Sequence, residues 1–592
     1  MLKGMNKKKK ILLVYPETPV TYWSYKYVFR FTREKATTPP LGLLTVAAML
    51  PEEEFEVKLV DMNISNLSDR MIEWADMVFL SAMLVQKDSF SAVAKRCKQL
   101  GTSVVAGGPY ASSFYTEIEN VDHFVLDEAE ITLPLFLEDY KRGKVKHIYK
   151  ADGEKPDIKT SPLPRFDLLN MKRYNSMAIQ FSRGCPYDCE FCDIIEMFGR
   201  RMRTKSEEQI IREMEELYSL GWRGPIFFVD DNFIGHRRRT KKLLRRVLKW
   251  QREKKYPFSL FTEASVDLAD DEELLELFRQ CGFTMVFVGI ETPSEESLLN
   301  AGKKQNLKND LLESISKIQS KGIEVTAGFI VGFDSDTPDI FQRQIDFIKE
   351  SSIPVAMVGL LTALPNTRLY RRLQQEGRIL SGSTGNNTHE LTLTFKPIMP
   401  MHVIIDGYKH IISHIYSPRV YFNRCLTLFK KINFIKRVTS MNIEINQLVS
   451  LLKSLFIQTF SWYGHHYLAY VLKTIFTSIR AFPDAIRLAV VGHHFFKITR
   501  EIIAVDDFKT RTFKLISAYS KRMSDAYESI NLGKNLEQLY KIKNNFIKSM
   551  QKKYYKIDED FRHLVDEHLE SLQRHLNRGY SRLLNLHTKQ YG

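Results

Sequence analysis

The 592-residue sequence predicts an α/β protein in three parts: an N-terminal doubly wound, Rossmann-like domain, a central partial (β/α)6 barrel and a mainly α-helical C-terminal module. Three observations carry this reading. Short β-branched runs alternate with helical patterns over the first 150 residues, the mark of a parallel sheet with helices on both faces. The alternation resumes between residues 176 and 380, long enough for six βα units. Beyond residue 400 it stops, prolines become few, and helical patterns take over.

In the first part, strands are expected at 10–15, 56–61, 77–82, 103–106 and 123–126, with helices at 41–50, 67–74 and 89–100. Folds of this kind bind ligands outside the carboxyl ends of their strands, so Asp61, Ser81 and the Gly107-Gly108-Pro109 turn are candidate site residues. A plain turn explains the Gly-Gly-Pro equally well. Residues 17–40 form a long connection containing Tyr22, Trp23, Tyr25, Tyr27 and Phe29, and this aromatic content favours an ordered, ligand-covering role. Residues 151–175, with Pro156, Pro162 and Pro164, read as a linker between a domain at 1–150 and a core at 176–400.

In the core, strands are expected at 177–181, 226–229, 259–262, 285–289, 324–329 and 356–361, with helices such as 207–220, 271–281 and 307–321 between them. Six cysteines occur in the chain, and three of them, Cys185, Cys189 and Cys192, fall in the loop after the first of these strands, where barrel sites are built. Clustering like this calls for a ligand. A disulfide framework suits small secreted domains and not a chain of this size. Structural zinc takes four closed ligands, and no fourth Cys or His lies within thirty residues of the trio. An iron-sulfur cubane held by three thiolates leaves one iron open for another ligand. Cys97 and Cys281 lie in helical patterns and are expected in the core.

The run Arg183-Gly184-Cys185-Pro186-Tyr187-Asp188-Cys189-Glu190-Phe191-Cys192 resembles the Cys-x3-Cys-x2-Cys signature of radical S-adenosylmethionine (SAM) enzymes. The resemblance implies a 4Fe-4S cluster on Cys185, Cys189 and Cys192 whose open iron chelates SAM, and reductive cleavage of SAM to a radical that abstracts a substrate hydrogen atom. Four later segments fall in the order that family uses. Asp230-Asp231-Asn232 resembles a segment that contacts the SAM amino group, where Gly-Gly-Glu is more usual; Glu263 and Glu291 resemble strand-end groups on the ribose and methionyl parts; and Gly328 to Gly332 resembles the fifth-strand motif that meets the adenine. Small glycines let a chain approach a flat base, and carboxylates suit hydroxyl and amine donors. Glu263 and Glu291 read equally well as helix caps.

A doubly wound domain directly ahead of such a core is similar to the cobalamin (B12)-binding subclass, in which Pro39-Pro40-Leu41-Gly42-Leu43, Val60-Asp61-Met62-Asn63 and Gly107-Gly108-Pro109 recur in this order. The resemblance implies cobalamin at Asp61, Ser81, Gly107 and Gly108. The Asp-x-His-x-x-Gly motif that ligates cobalt elsewhere is missing, which implies a lower axial face without a protein ligand. Residues 127–130, Asp-Glu-Ala-Glu, depart from the Gly-Glu-x-Glu seen in relatives. A domain that has lost its cofactor is the alternative. Nicotinamide is disfavoured, since Pro16 stands where a glycine-rich turn would follow the first strand.

The net charge of +16 is concentrated: residues 401–592 hold 30 Lys+Arg against 15 Asp+Glu, and residues 401–500 hold 13 against 3. Basic residues mixed with Leu, Phe and Trp suit helices at an anionic membrane surface better than an RNA-binding face. Residues 416–496 resemble the extension of the radical SAM branch that includes hopanoid methylases. The His465-His466 and His493-His494 pairs lack carboxylate partners and read as ordinary surface or core histidines. The basic run at residues 1–10 is followed by an apolar stretch that stops at Pro16, too short for a secretion signal. The most apolar window, 451–479, is broken by Lys453, His465, His466 and Lys473 and does not span a bilayer.

The expected protein is therefore a cytoplasmic enzyme, peripheral at most on the inner face of the membrane. It uses a 4Fe-4S cluster, SAM and cobalamin to methylate an unactivated carbon of a small-molecule or lipid substrate, with electrons from a low-potential donor such as flavodoxin or ferredoxin. In the mechanism the resemblance implies, one SAM methylates cobalamin and a second supplies the radical. A cyclase or rearrangement enzyme of the same build, an RNA-modifying radical enzyme, and a non-catalytic lipid- or RNA-binding protein with a vestigial core are the alternatives.

Overall fold

The structure, a computed structural model, describes residues 8–386, 388, 391–432, 445–527 and 532–591, so the first seven residues of the basic N-terminal run lie outside it. Packing divides the chain into two compact units, Met1–His494 and Phe495–Gly592. Both sheets belong to the first.

The first sheet comprises β1 (Lys9–Tyr15), β2 (Phe55–Asp61), β3 (Met77–Ser81), β4 (Ser103–Gly107), β5 (His123–Val125) and β6 (Ile148–Tyr149). All are parallel, in the order β2-β1-β3-β4-β5-β6. The run Ile11-Leu12-Leu13-Val14 shows why β1 is central. Leu12 and Val14 join one core, with Phe90, Val93 and Tyr110, while Ile11 and Leu13 join the other, with Leu43, Leu133 and Phe136. A strand apolar on both faces has to be covered by helices on both, which makes this sheet doubly wound. The order reverses between β1 and β3, so the ligand crevice of such a fold opens at the carboxyl ends of these strands. The two-residue β6 was too short to leave a sequence signal.

Residues 151–175, read as a linker, form short turns held along the protein by backbone bonds. Lys35 N–H donates to Arg173 O (2.8 Å), Asn175 N–H to Ala36 O (3.0 Å), Ser176 N–H to Thr37 O (2.9 Å) and Arg165 N–H to Leu44 O (3.1 Å). The strap thus fixes the far end of the aromatic loop 17–40 at the point where the second sheet begins.

The second part starts with β7 (Met177–Ile179), followed by a small antiparallel pair, β8 (Ser182–Arg183) and β9 (Arg203–Thr204). Then come β10 (Ile226–Phe228), β11 (Leu260–Ala264), β12 (Phe283–Glu291), β13 (Glu324–Val331) and β14 (Ala356–Leu360). The six parallel strands β14-β13-β12-β11-β10-β7 form the expected (β/α)6 sheet. Along β11 the outward Leu260, Thr262 and Ala264 are buried, whereas Phe261 and Glu263 on the other face are partly open. Phe228 and Phe283 pack with Phe278 on the helical side. Phe227 and Phe261 stack with centroids 4.7 Å apart on the opposite side, the lumen.

Beyond residue 400 the described chain is helical, as expected: Met401–Ile415, Pro418–Lys431, Ile445–Thr459, Gly464–Thr477, Phe482–Tyr527, Leu532–Tyr554, Glu559–Arg562 and Asp566–Tyr591. The described residues between 401 and 494 belong to the first unit. In the second, Leu532–Tyr554 lies against Asp566–Tyr591, and Asp558 caps the short helix that follows it. Among the described residues no helix is long and apolar enough to cross a membrane. Cys97, Cys281 and Cys425 are buried.

Candidate functional site

The three clustered cysteines sit in the loop that leaves β7 and returns near β9. Gly184 has φ +91°, and a Cβ there would lie 2.7 Å from Gly199 O, so only glycine lets the loop close on itself. Cys185 N–H donates to Gly199 O (3.3 Å) and Cys192 N–H to Cys189 O (3.2 Å). Below the loop, Asp230 is fully buried. It accepts from Phe181 N–H (3.0 Å) and from the N–H and hydroxyl of Ser182. Burial pushes its carboxyl up to about 7. With both oxygens engaged, Asp230 positions the start of the loop and offers nothing to a ligand. Asp231 accepts from Gly184 N–H (3.1 Å) and is pushed up to about 6 by burial.

Burial also raises all three thiols, Cys192 to about 12. The Lys303 ammonium works against burial at each of them. Two amides face the sulfurs: Asn232 Nδ2 lies 4.0 Å from Cys185 Sγ and Gln305 Nε2 lies 3.9 Å from Cys189 Sγ. Among the described residues no three His, Cys, Asp or Glu side chains converge on a single ion. An iron-sulfur cubane asks for a wider set, because each thiolate takes its own iron, and amide and ammonium donors around sulfur are the outer groups that tune such a cluster. The residues present fit a cluster better than a lone ion.

The lumen beside the loop is lined by β10 to β13. Glu263 is pushed up to about 7 by burial and by Asp231 and Asp230, and among the described residues its carboxyl has no hydrogen-bond or ion-pair partner. An unpartnered carboxylate next to a second one fits a ligand that brings an ammonium or hydroxyl group, as SAM does. Glu291 lies elsewhere in function: it adopts φ +65° and accepts from Lys303 Nζ at 2.6 Å. A Cβ on Gly289 would meet both of these groups, at 2.4 and 2.7 Å, so that glycine serves the ion pair. Gly328 lies against the Phe287 ring, 3.2 Å from where a Cβ would be. Gly332 has φ +104° and donates its N–H to Asp336 (2.9 Å), which makes it part of a turn. Neither Glu263 nor Glu291 caps a helix; Asp271 and Ser294 do.

At the carboxyl edge of the first sheet, Asp61 is buried and saturated. The Tyr174 hydroxyl donates to Oδ2 (2.9 Å), and Asn63 donates to Oδ1 from its N–H (2.9 Å) and its amide (2.7 Å). Gly108 has φ +82°, and a Cβ there would lie 2.2 Å from Ser81 Oγ; a Cβ on Gly107 would lie 2.8 Å from Val125 O. With no Cβ at either glycine, Ser81, Gly107 and Gly108 pack closely into a shelf at the carboxyl ends of β3 and β4. His123 opens β5 and His147 immediately precedes β6, tied to Lys146 O and Asp122 O, so both lie at the amino ends of these strands, away from the shelf.

The two carboxyl edges meet through charges. Arg183, two residues before Cys185, donates to Glu128 Oε2 (2.8 Å) and Glu130 Oε1 (2.8 Å), and Arg203 donates to the same Glu128 oxygen (2.8 Å). Burial would raise the Glu130 carboxyl, but Arg183 overrides it and holds it near about 2. The aromatic loop reaches the barrel as well, with the Trp23 ring 5.2 Å from Phe287. Sequence reasoning missed Lys303, Gln305 and the role of Glu128 and Glu130. Only the last left a signal, two acids just past a strand end in a chain whose signature begins with arginine.

The family model of the B12 binding domain matches residues 32–137, that of the Radical SAM superfamily residues 179–348, and that of a domain of unknown function, DUF4070, residues 367–507. The chain is 45% identical to an uncharacterised methyltransferase of Synechocystis sp. (strain ATCC 27184 / PCC 6803 / Kazusa), over 73% of its own length and 81% of that protein's. It is 33% identical to the hopanoid C-2 methylase of Rhodopseudomonas palustris (strain TIE-1), over 70% and 81%. Among solved structures, the radical SAM methyltransferase TsrM of Kitasatospora setae, with cobalamin and a [4Fe-4S] cluster bound, shares the fold at a TM-score of 0.54 and 16% identity, over 82% of this chain and 99% of that one.

Proposed function

Because the chain belongs to the cobalamin-dependent radical SAM methyltransferases, we propose that it methylates an unactivated carbon of a lipid-like substrate held in the barrel lumen. When bound, the cluster, SAM and cobalamin supply the electron, the radical and the methyl group. The chain's own residues do the rest. Cys185, Cys189 and Cys192 hold the cluster, with Lys303, Asn232 and Gln305 around the sulfurs. Glu263 and Asp231 take the polar end of SAM, and the Gly328 and Phe287 surface takes its base. The shelf at Ser81, Gly107 and Gly108 carries cobalamin, with Asp61 fixed beneath it by Tyr174. In this division of labour residues 1–150 serve cobalamin, 176–400 serve the cluster and SAM, 151–175 connect them, and 401–592 serve the membrane side.

The single observation that carries the substrate class is the aromatic lining of the lumen, Phe227 on Phe261 and Trp23 on Phe287. Such a lining offers a hydrocarbon skeleton contact and offers a polar acceptor few partners. The protein would act in the cytoplasm at the inner face of the membrane and draw electrons from a flavodoxin or ferredoxin. The test is an anaerobic assay of reconstituted protein with SAM, cobalamin, a strong reductant and polycyclic lipid acceptors. Methylation yields S-adenosylhomocysteine and 5′-deoxyadenosine together with methylated lipid. Product formed with 5′-deoxyadenosine but without S-adenosylhomocysteine would instead make the enzyme a cyclase or rearrangement catalyst.

A further inference from the structure

We infer that the pair of helices Ile445–Thr459 and Gly464–Thr477 is a docking surface that lies flat in one leaflet of an anionic lipid membrane, beside the loop that covers the barrel. Each helix has one face committed to the protein. Ser454 and Gln458 are buried and hydrogen-bonded to each other and to Tyr467 and Tyr463. Tyr470 stacks on Phe422 with centroids 4.6 Å apart. The other faces are apolar and open: Phe456 is 70% exposed, Phe460 79%, Phe476 87% and Ile479 66%, with Leu452 and Leu472 exposed one turn earlier on the same stripes. Spacings of four residues put Leu452 with Phe456 and Leu472 with Phe476 on one face of their helices, and Phe460 and Ile479 follow just past the helix ends. A contiguous patch of this kind on a water-facing surface marks an interaction site.

Length and charge choose the occupant. At ~1.5 Å per residue, helices of 15 and 14 residues are shorter than the ~30 Å hydrocarbon core, so they lie in the plane of a leaflet and do not cross it. From residue 445 to residue 483 the sequence has no Asp or Glu. Lys473 and Arg480 are exposed beside the apolar face, and Lys453 Nζ contacts the Arg30 and Thr32 carbonyls (3.4 Å each), which brings the exposed Lys26 and Arg30 of the aromatic loop to its rim. A basic rim around an apolar centre complements anionic headgroups over acyl chains. It would repel a second copy of itself. The same loop places Trp23 on Phe287, so the docked face adjoins the cover of the lumen. The surface deepens the lipid reading proposed above, on which its purpose rests.

The test uses full-length protein and sucrose-loaded vesicles of phosphatidylglycerol with phosphatidylcholine, against phosphatidylcholine alone. Wild-type protein should sediment with the anionic vesicles, with a fraction that survives added salt because apolar burial is not screened. The double variant Phe456→Ser/Phe476→Ser, whose replaced rings are in solvent, should fold and cleave SAM as before but bind about tenfold more weakly. Unchanged vesicle binding by that variant overturns the inference. So does a vesicle-free wild-type dimer that the variant dissociates, since the face then joins two copies, and so does salt-sensitive RNA binding without vesicle binding. Wild-type protein that binds vesicles yet methylates no lipid leaves the surface standing and removes the substrate reading. Methylation of detergent-dispersed lipid by protein that ignores vesicles does the reverse.

Discussion

Cys189 is the one of the three clustered cysteines buried as a whole residue, with the Gln305 amide beside its sulfur and the Lys303 ammonium acting on it. Its sulfur lies on a loop, so Cys189→Ala should leave the melting temperature nearly unchanged while 5′-deoxyadenosine formation from SAM falls to background; wild-type-like formation would remove the cluster from this site. Lys303 behaves differently, because burial lowers the affinity of its amine for a proton and Glu291 with the Cys189 thiolate restores it. Removing one member of a buried pair strands the other, at a cost of about 3 kcal/mol. Lys303→Met should therefore lower stability by that amount in denaturant titrations, and Lys303→Met/Glu291→Gln should recover part of it. Equal losses in the single and double variants would mean that the pair is not coupled. Of these residues the cysteines stand out by their spacing alone. Lys303 and Gln305 do not, since a lysine more than a hundred residues away reaches the sulfurs only through the turn at Gly302, which packs on Asp188.

In the proposed reading, substrate choice depends on the loop 17–40. Thr21 caps a short turn at Tyr22–Ser24, Tyr22 stacks on Tyr416, and the buried His494 accepts from Tyr27 N–H (3.4 Å) while its Nε2 faces Tyr22 O (3.1 Å). These anchors fix the loop on both sides of Trp23, whose ring is left 47% exposed against Phe287. Trp23→Ala should keep the fold and SAM cleavage, raise KM for an apolar acceptor by about tenfold, and increase 5′-deoxyadenosine formed per methyl transferred. An unchanged KM with unchanged coupling would place the acceptor elsewhere. Apart from the two-residue β6, the strands of the two parallel sheets were legible because parallel strands read as β-branched runs at regular intervals, with errors of one or two residues at their ends. The loop's partners were hidden, because His494 meets Tyr27 across more than four hundred residues and no local pattern encodes such a contact. Asp230 and Glu291 show a related limit of the sequence: composition marks a carboxylate near a strand end, and only the fold reveals that the oxygens of Asp230 are engaged by Phe181 and Ser182 and that Glu291 pairs with Lys303.

At the scale of the whole molecule, the two sheets present their carboxyl edges to one another, and Arg183 with Glu128 and Glu130 is the connection between them. The placement explains how a crevice built by residues before 150 can serve a loop at 185: the same arginine that begins the cysteine signature is gripped by the end of the first domain. Glu130 makes this testable by pH. Its folded value, about 2, lies below the ordinary 4.5. The stabilisation it contributes is therefore complete above about pH 4.5 and is lost as the pH falls from there towards 2, with a magnitude on the order of 3 kcal/mol. Glu130→Gln should be less stable than wild type by about that much at pH 7, and the difference should shrink as the pH falls below about 4.5, so that the two unfolding curves approach each other and meet only near pH 2. Because the bond joins the two edges to which the proposed function assigns the cofactors, the variant should also release reconstituted cobalamin more readily on gel filtration at neutral pH while cleaving SAM normally. Unfolding curves that stay a constant distance apart from pH 7 to pH 3 would show that Glu130 gains nothing from Arg183, and the two edges would then be held together by Glu128, through Arg183 and Arg203, and by packing.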